Sequence, residues 1–187
     1  MFNNMVTALF PDKYEENIKR ALESVNLLLV RYFIGISIEI VAITLLNGFG
    51  LYLIAGVDFS LAFVLAFISG VLNVIPYIGP ITGGLFGMLM SGVSHGFNDP
   101  YIGNFIISVG IVFFITHMID LFIFQPNIYS KSVKAHPLEI FLVILIAGSI
   151  AGIMGMLVAI PAYTVIRVFA REFFSKFKFV KKLTTNI

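Results

Sequence analysis

The sequence predicts an all-α integral membrane protein: transmembrane helices plus two helical hairpins broken by proline and glycine, preceded by a short amphipathic cytoplasmic helix. Three observations predict it. Of the 187 residues, 59% are hydrophobic and 20 are Phe, and the mean hydropathy of +1.00 is far above that of a soluble domain. From Tyr32 to Ser130 there is no Lys or Arg, and the acidic residues there are Glu39, Asp58, Asp99 and Asp120 alone. Two apolar regions also carry Pro or Gly near their centres, as in "NVIPYIGPITGG" at 73–84.

The elements follow in order. Asp12 and Glu15 stand three apart as a capping box, and Glu15/Lys19 and Glu16/Arg20 have the i,i+4 spacing that supports a helix. Ile18, Leu22, Val25 and Leu29 give that helix one apolar stripe, so residues 1–31 read as an amphipathic cytoplasmic segment. Residues 32–170 form the transmembrane domain, with apolar regions at 33–56, 58–94, 101–124 and 138–166. The first and third each cover about 36 Å as helices, against a hydrocarbon core of about 30 Å. The second is a broken span or hairpin. The fourth is a hairpin bent near Gly148 to Gly152, with arms short enough to favour a re-entrant loop. Residues 171–187 form a basic cytoplasmic tail. The N-terminus lacks the basic-then-apolar order of a signal peptide, and the absence of Cys removes disulfide and thiolate chemistry.

Cations set the topology. Lys13, Lys19, Arg20 and Arg31, then Lys131 and Lys134, then Arg167, Arg171, Lys176, Lys178, Lys181 and Lys182 form three clusters expected on the cytoplasmic side. A hairpin at 138–166 keeps the last two clusters on one side.

The break in the second region has a physical cause. Pro76 and Pro80 lack amide hydrogens and disfavour helix at Ile75 and Gly79, so a helix is expected to end near Ile75 and restart near Pro80. Backbone carbonyls freed at membrane depth are tolerated where protein buries them or where they line a watery cavity. "TGGLFGML" (82–89) resembles "IAGIMGML" (150–157), which suggests an inverted repeat.

The substrate or ion pathway is accordingly expected at Asn73, Pro76, Tyr77, Gly79 and Pro80, at Gln125 and Pro126, and at Gly148, Gly152 and Gly155. Glu39, His117 and Asp120 are the coupling candidates, because carboxylates without a local counter-ion in a membrane suit proton or cation binding. Structural alternatives are hydrogen bonding for Glu39, pairing with Lys131 or Lys134 for Asp120, and a satisfied bundle residue for His117. His136, Pro137 and Glu139 make a loop motif in which Pro137 starts a helix and Glu139 complements its dipole. Pro161 is expected to kink the outgoing arm, and Asp58 and Asp99 to act as caps or loop residues. No spacing indicates a metal site, a nucleophile elbow or a phosphate loop, so no cofactor, enzyme activity or nucleic-acid partner is expected. The basic tail suits anionic lipid.

"NVIPYIGPITGG" and "IDLFIFQPNIYSKSVKAHPLEIFLVILIAGSIAGIMGMLVAIPAYTVIRV" together resemble the signature of the autoinducer-2 exporter (AI-2E) family, over roughly residues 12–175. The resemblance implies a multi-pass transporter of the bacterial inner membrane that exports a quorum-sensing signal or another small polar solute. It also implies sodium or proton exchange in some members, and assembly as a homo-oligomer. Family chains are nearly twice as long and carry further N-terminal transmembrane helices, so this chain corresponds to the C-terminal part. The alternative is a truncated, non-transporting membrane subunit.

Overall fold

A computed structural model describes residues 15–96, 98–128 and 136–174. Asp12 of the capping box, Lys131, Lys134 and the tail cations from Lys176 onward lie outside the described residues. Every described element is helical: α1 (Glu15–Leu53), α2 (Phe59–Leu72), α3 (Ile78–His95), α4 (Ile102–Ile119), a π-helical turn (Asp120–Phe124), α5 (Gln125–Ile128) and α6 (Pro137–Phe174). The described residues divide into two compact units, one falling within residues 35–127 and the other within 15–34 and 128–174.

α1 runs without interruption through the boundary expected at 31/32. No proline lies within it, so nothing stops propagation of its hydrogen bonds. Its 39 residues span about 58 Å, well beyond a hydrocarbon core. At its polar start Lys19 and Glu15 pair at 2.6 Å. The Glu15 hydrogen bond holds the Lys19 ammonium above its ordinary pKa.

In the unit of residues 35–127, α1 buries Ile36, Glu39, Ile43, Asn47 and Leu51 at helical spacing, while Ile38, Val41, Leu45 and Phe49 are exposed. Polar groups inside and large apolar ones outside are the arrangement a lipid solvent favours. Asp58 caps α2, accepting from the amides of Ser60 (3.0 Å) and Leu61 (3.4 Å). Leu51, Ala62, Leu65, Val109, Val112 and Phe113 form the apolar core.

α2 and α3 make the first hairpin. A Cβ on Gly79 would collide with the Leu72 carbonyl, and one on Gly83 would lie 2.7 Å from Ser69 Oγ, so the two helices are nearly in backbone contact and run antiparallel. Between them the Ile78 amide donates to the Pro76 carbonyl at 2.8 Å, and Tyr77 sits at φ 66, ψ −47. That is a γ-turn of the rare, strained hand. The helix therefore restarts at Ile78, before Pro80. Pro80 occupies the first turn, where an amide hydrogen has no intrahelical partner anyway, so it does not break the helix.

In the other unit, Ala21 and Leu28 of α1 pack with Val168 of α6. α6 leaves helical geometry at Ala151 (φ −132, ψ 19) and Gly152 (φ 58, ψ −142), and nowhere else. A left-handed φ costs a glycine little. Either side of this point the limbs touch at matched distances. A Cβ on Gly148 would lie 2.5 Å from Met156 Cε, and one on Gly155 would strike the Ala147 carbonyl. The Tyr163 hydroxyl donates to Glu139 Oε2 at 2.8 Å. The limbs are antiparallel, and Pro161 keeps helical angles rather than breaking the outgoing one.

Three helices, Glu15–Leu53, Ile102–Ile128 and Leu138–Phe173, are long and apolar enough to cross a membrane. The third contains the reversal, which leaves limbs of about 21 and 33 Å. The two "GML" segments occupy different places. Residues 82–89 lie wholly inside α3, whereas 150–157 contain the α6 reversal, so Gly84 is helical where its counterpart Gly152 turns the chain.

Candidate functional site

Four polar side chains from separate elements converge in the unit of residues 35–127. Glu39 lies on the buried stripe of α1, Asn73 ends α2, Asp120 opens the π-turn and Gln125 follows it; each is 5% exposed or less. Asn73 Nδ2 donates to Glu39 Oε1 at 2.8 Å, and Gln125 Nε2 donates to Asp120 Oδ2 at 2.8 Å. Each carboxyl group thus has one oxygen held by an amide. The remaining oxygens, Glu39 Oε2 and Asp120 Oδ1, are buried with no other hydrogen-bond partner.

The two carboxyl groups lie close enough to interact electrostatically. As carboxylates they offer each other only lone pairs, so contact needs a proton on one of them or a cation between them. Among the described residues the ion pairs involve neither group. Two unpaired charges in a low-dielectric interior are costly, and a proton or a cation between them lowers that cost.

A small cavity opens beside the pair, lined by Asn47, Ser69, Asn73, Pro80, Thr116, His117 and Asp120 among others, with room for about one water molecule. Asn47 Nδ2 donates to Ser69 Oγ at 3.3 Å, leaving Asn47 Oδ1 unpartnered, and His117 Nδ1 is likewise buried and unpartnered.

Of the residues singled out in the sequence, Asn73 bonds to Glu39 and Gln125 to Asp120, while Asn73, Asp120, Pro80 and His117 line the cavity. Pro76 and Tyr77 form the hairpin turn, with Pro76 fully buried and Gly79 packed against α2. Pro126 follows the π-turn. Gly148, Gly152 and Gly155 belong to the other unit, where they build the α6 reversal. There Pro137 starts α6, and the ring nitrogen of His136 accepts the Leu138 amide at 3.3 Å. Glu139 does more than complement a helix dipole, because it also meets Arg167 at 3.5 Å. Arg167, counted among the cytoplasmic cations, is only 7% exposed.

Sequence reasoning missed Asn47, Ser69 and Thr116. The signal was present in the spacing: Asn47 lies two turns beyond Glu39 on the same face, Ser69 one turn before Asn73, and Thr116 one turn before Asp120. Among the described residues no group of three or more His, Cys, Asp or Glu is placed to hold a metal ion.

Comparison with known proteins adds an independent line. Residues 1–175 match the family model described as AI-2E family transporter. The chain is 30% identical over 169 residues to "Putative transport protein YueF" of Bacillus subtilis, covering 90% of this chain and 43% of that one. It is 35% identical over 125 residues to "Putative transport protein YrrI" of the same organism, covering 64% and 33%. A third relative, from Mycobacterium tuberculosis, is 27% identical over 157 residues, covering 83% and 40%. The chain thus spans less than half the length of these relatives. No solved structure matches it.

Proposed function

Because the chain belongs to the AI-2E transporter family, we propose that it supplies the ion-coupled translocation part of a multi-pass bacterial inner-membrane exporter of a small polar solute. The buried Glu39–Asp120 pair is the site of the coupling ion, a proton or sodium. The observation that carries this reading is that two buried carboxyl groups lie close to each other, each already held by one amide.

Exchange follows from the chemistry of the pair. With a proton or sodium ion between them the two groups carry one net negative charge instead of two, and without it two like charges lie close together in a low dielectric. The empty site therefore favours any rearrangement that admits water or another cation. The neighbouring turn at Asn73–Tyr77 supports such a role, since a strained γ-turn between two short helices is a natural point of movement. The apolar outer face of α1 supports a lipid environment.

The test uses the chain reconstituted into acid-loaded liposomes with a trapped pH-sensitive dye, to which external sodium is added. Chain-dependent proton release is expected, falling on the order of tenfold in Asp120→Asn with the amount of folded protein unchanged. Proton release equal in Asp120→Asn and the parent chain would overturn the reading.

A further inference from the structure

We propose that Gln125 is a positioning residue for the Glu39–Asp120 pair: the π-helical turn before it serves to bring its side-chain amide onto Asp120, which dictates the oxygen of Asp120 that meets the guest. The proposal rests on the reading that this pair binds the coupling ion.

At about 100° per residue, side chains five apart in an α-helix point about 140° away from each other and cannot touch across a turn. Here the chain departs from that register over Asp120–Phe124. The Gln125 amide hydrogen bonds to the Asp120 carbonyl, the i to i+5 pattern of a π-turn. The widened turn swings the Gln125 side chain back over Asp120, and Nε2 reaches Oδ2 at 2.8 Å. Gln125 is thus tied to Asp120 twice, by backbone and by side chain.

Residue 126 explains why the turn widens there. Proline has no amide hydrogen to return to the preceding turn, and its ring would crowd the carbonyl of Phe122 in regular α-geometry. A π-turn just upstream relieves that clash.

The consequence is an oriented carboxyl group. With Oδ2 occupied by Gln125, Oδ1 is the oxygen left buried and unpartnered. The Glu39 carboxyl from α1 lies close to Asp120, and Asn73 at the end of α2 and His117 on its own helix line the same cavity as Asp120. Gln125 supplies a neutral hydrogen-bond donor, so it holds Asp120 in place without competing with the guest as a fixed cation would.

The decisive feature is donation, and that separates positioning from mere space-filling. Gln125→Met keeps length without a donor; Gln125→Glu keeps shape and can donate only while its added carboxyl carries a proton. In the liposome assay, Gln125→Met is expected to lose on the order of tenfold in proton release at every pH. Gln125→Glu is expected to work at acidic pH and lose activity as the pH rises. Wild-type release by Gln125→Met, or an identical pH profile for the two variants, would overturn the proposal. Should Gln125→Met fail to fold, as judged by a thermal melt in detergent, the pH profile of Gln125→Glu against the parent chain decides alone: an unchanged profile overturns it. Asp120→Asn, run alongside, separates the two levels. Loss of release in Asp120→Asn with full release in Gln125→Met sinks only this proposal, whereas full release in Asp120→Asn sinks the reading beneath it.

Discussion

Asn73 donates its side-chain amide to Oε1 of Glu39 at 2.8 Å, while the other oxygen of Glu39 is buried without a hydrogen-bond partner. The end of one short helix thereby orients a carboxyl group on a long one. Both residues are buried, 3% and 2% exposed, so neither can exchange this partner for water without opening the site.

Replacing Asn73 with Ala should strand Oε1 of Glu39 without its donor. A buried acceptor left unsatisfied costs about 1–3 kcal/mol. A lower melting temperature in detergent is expected, together with reduced proton release. An unchanged melt would mean that the Asn73–Glu39 bond contributes nothing to the fold.

Close packing in the two hairpins predicts a contrast among glycines. Gly79→Ala and Gly155→Ala would drive a methyl group into the carbonyls of Leu72 and Ala147, which are backbone and cannot swing aside. Each is expected to destabilise by about 1–3 kcal/mol. Gly103→Ala, whose added methyl meets nothing within 4 Å, should be neutral or stabilising by up to about 1 kcal/mol, since Ala suits a helix better. Thermal melts of the three variants in one detergent check the ordering, and equal effects would contradict the hairpin geometry.

Much of this architecture was legible before any coordinates. Composition and the missing cations identify a membrane protein, and Pro76 and Gly152 mark the two reversals because one lacks a donor and the other tolerates a left-handed φ. Glu39 and Asp120 stood out because their helices hold no basic residue near them. That the two lie close together was not legible, since their proximity depends on how α1 packs against α4 rather than on spacing within either. The π-turn escaped for a related reason: Pro126 announces a disturbance, but whether a helix kinks, ends or widens is decided by packing. Pro80 shows the opposite error, where a residue that breaks helices inside them is harmless in a first turn. The continuity of α1 was obscured by a change from polar to apolar composition at Arg31, which alters the solvent around a helix without altering its hydrogen bonds.

Loss of the Asp58 cap makes a further prediction outside the site. Asp58→Ala removes the acceptor for the amides of Ser60 and Leu61, at a cost of about 0.5–2 kcal/mol. A reduced melting temperature with proton release per folded molecule unchanged is expected. Lost release at full stability would show that the start of α2 has a functional role that capping does not explain.

The most direct test of the account is a double-mutant cycle on Glu39→Gln and Asp120→Asn, with sodium-dependent proton release measured per folded molecule in liposomes. If the two carboxyl groups bind one ion as a unit, each single change abolishes most of the release and the double change costs little beyond the more severe single one. Independent, multiplicative losses would contradict the shared site, and so would a double variant that releases protons as fast as the parent chain.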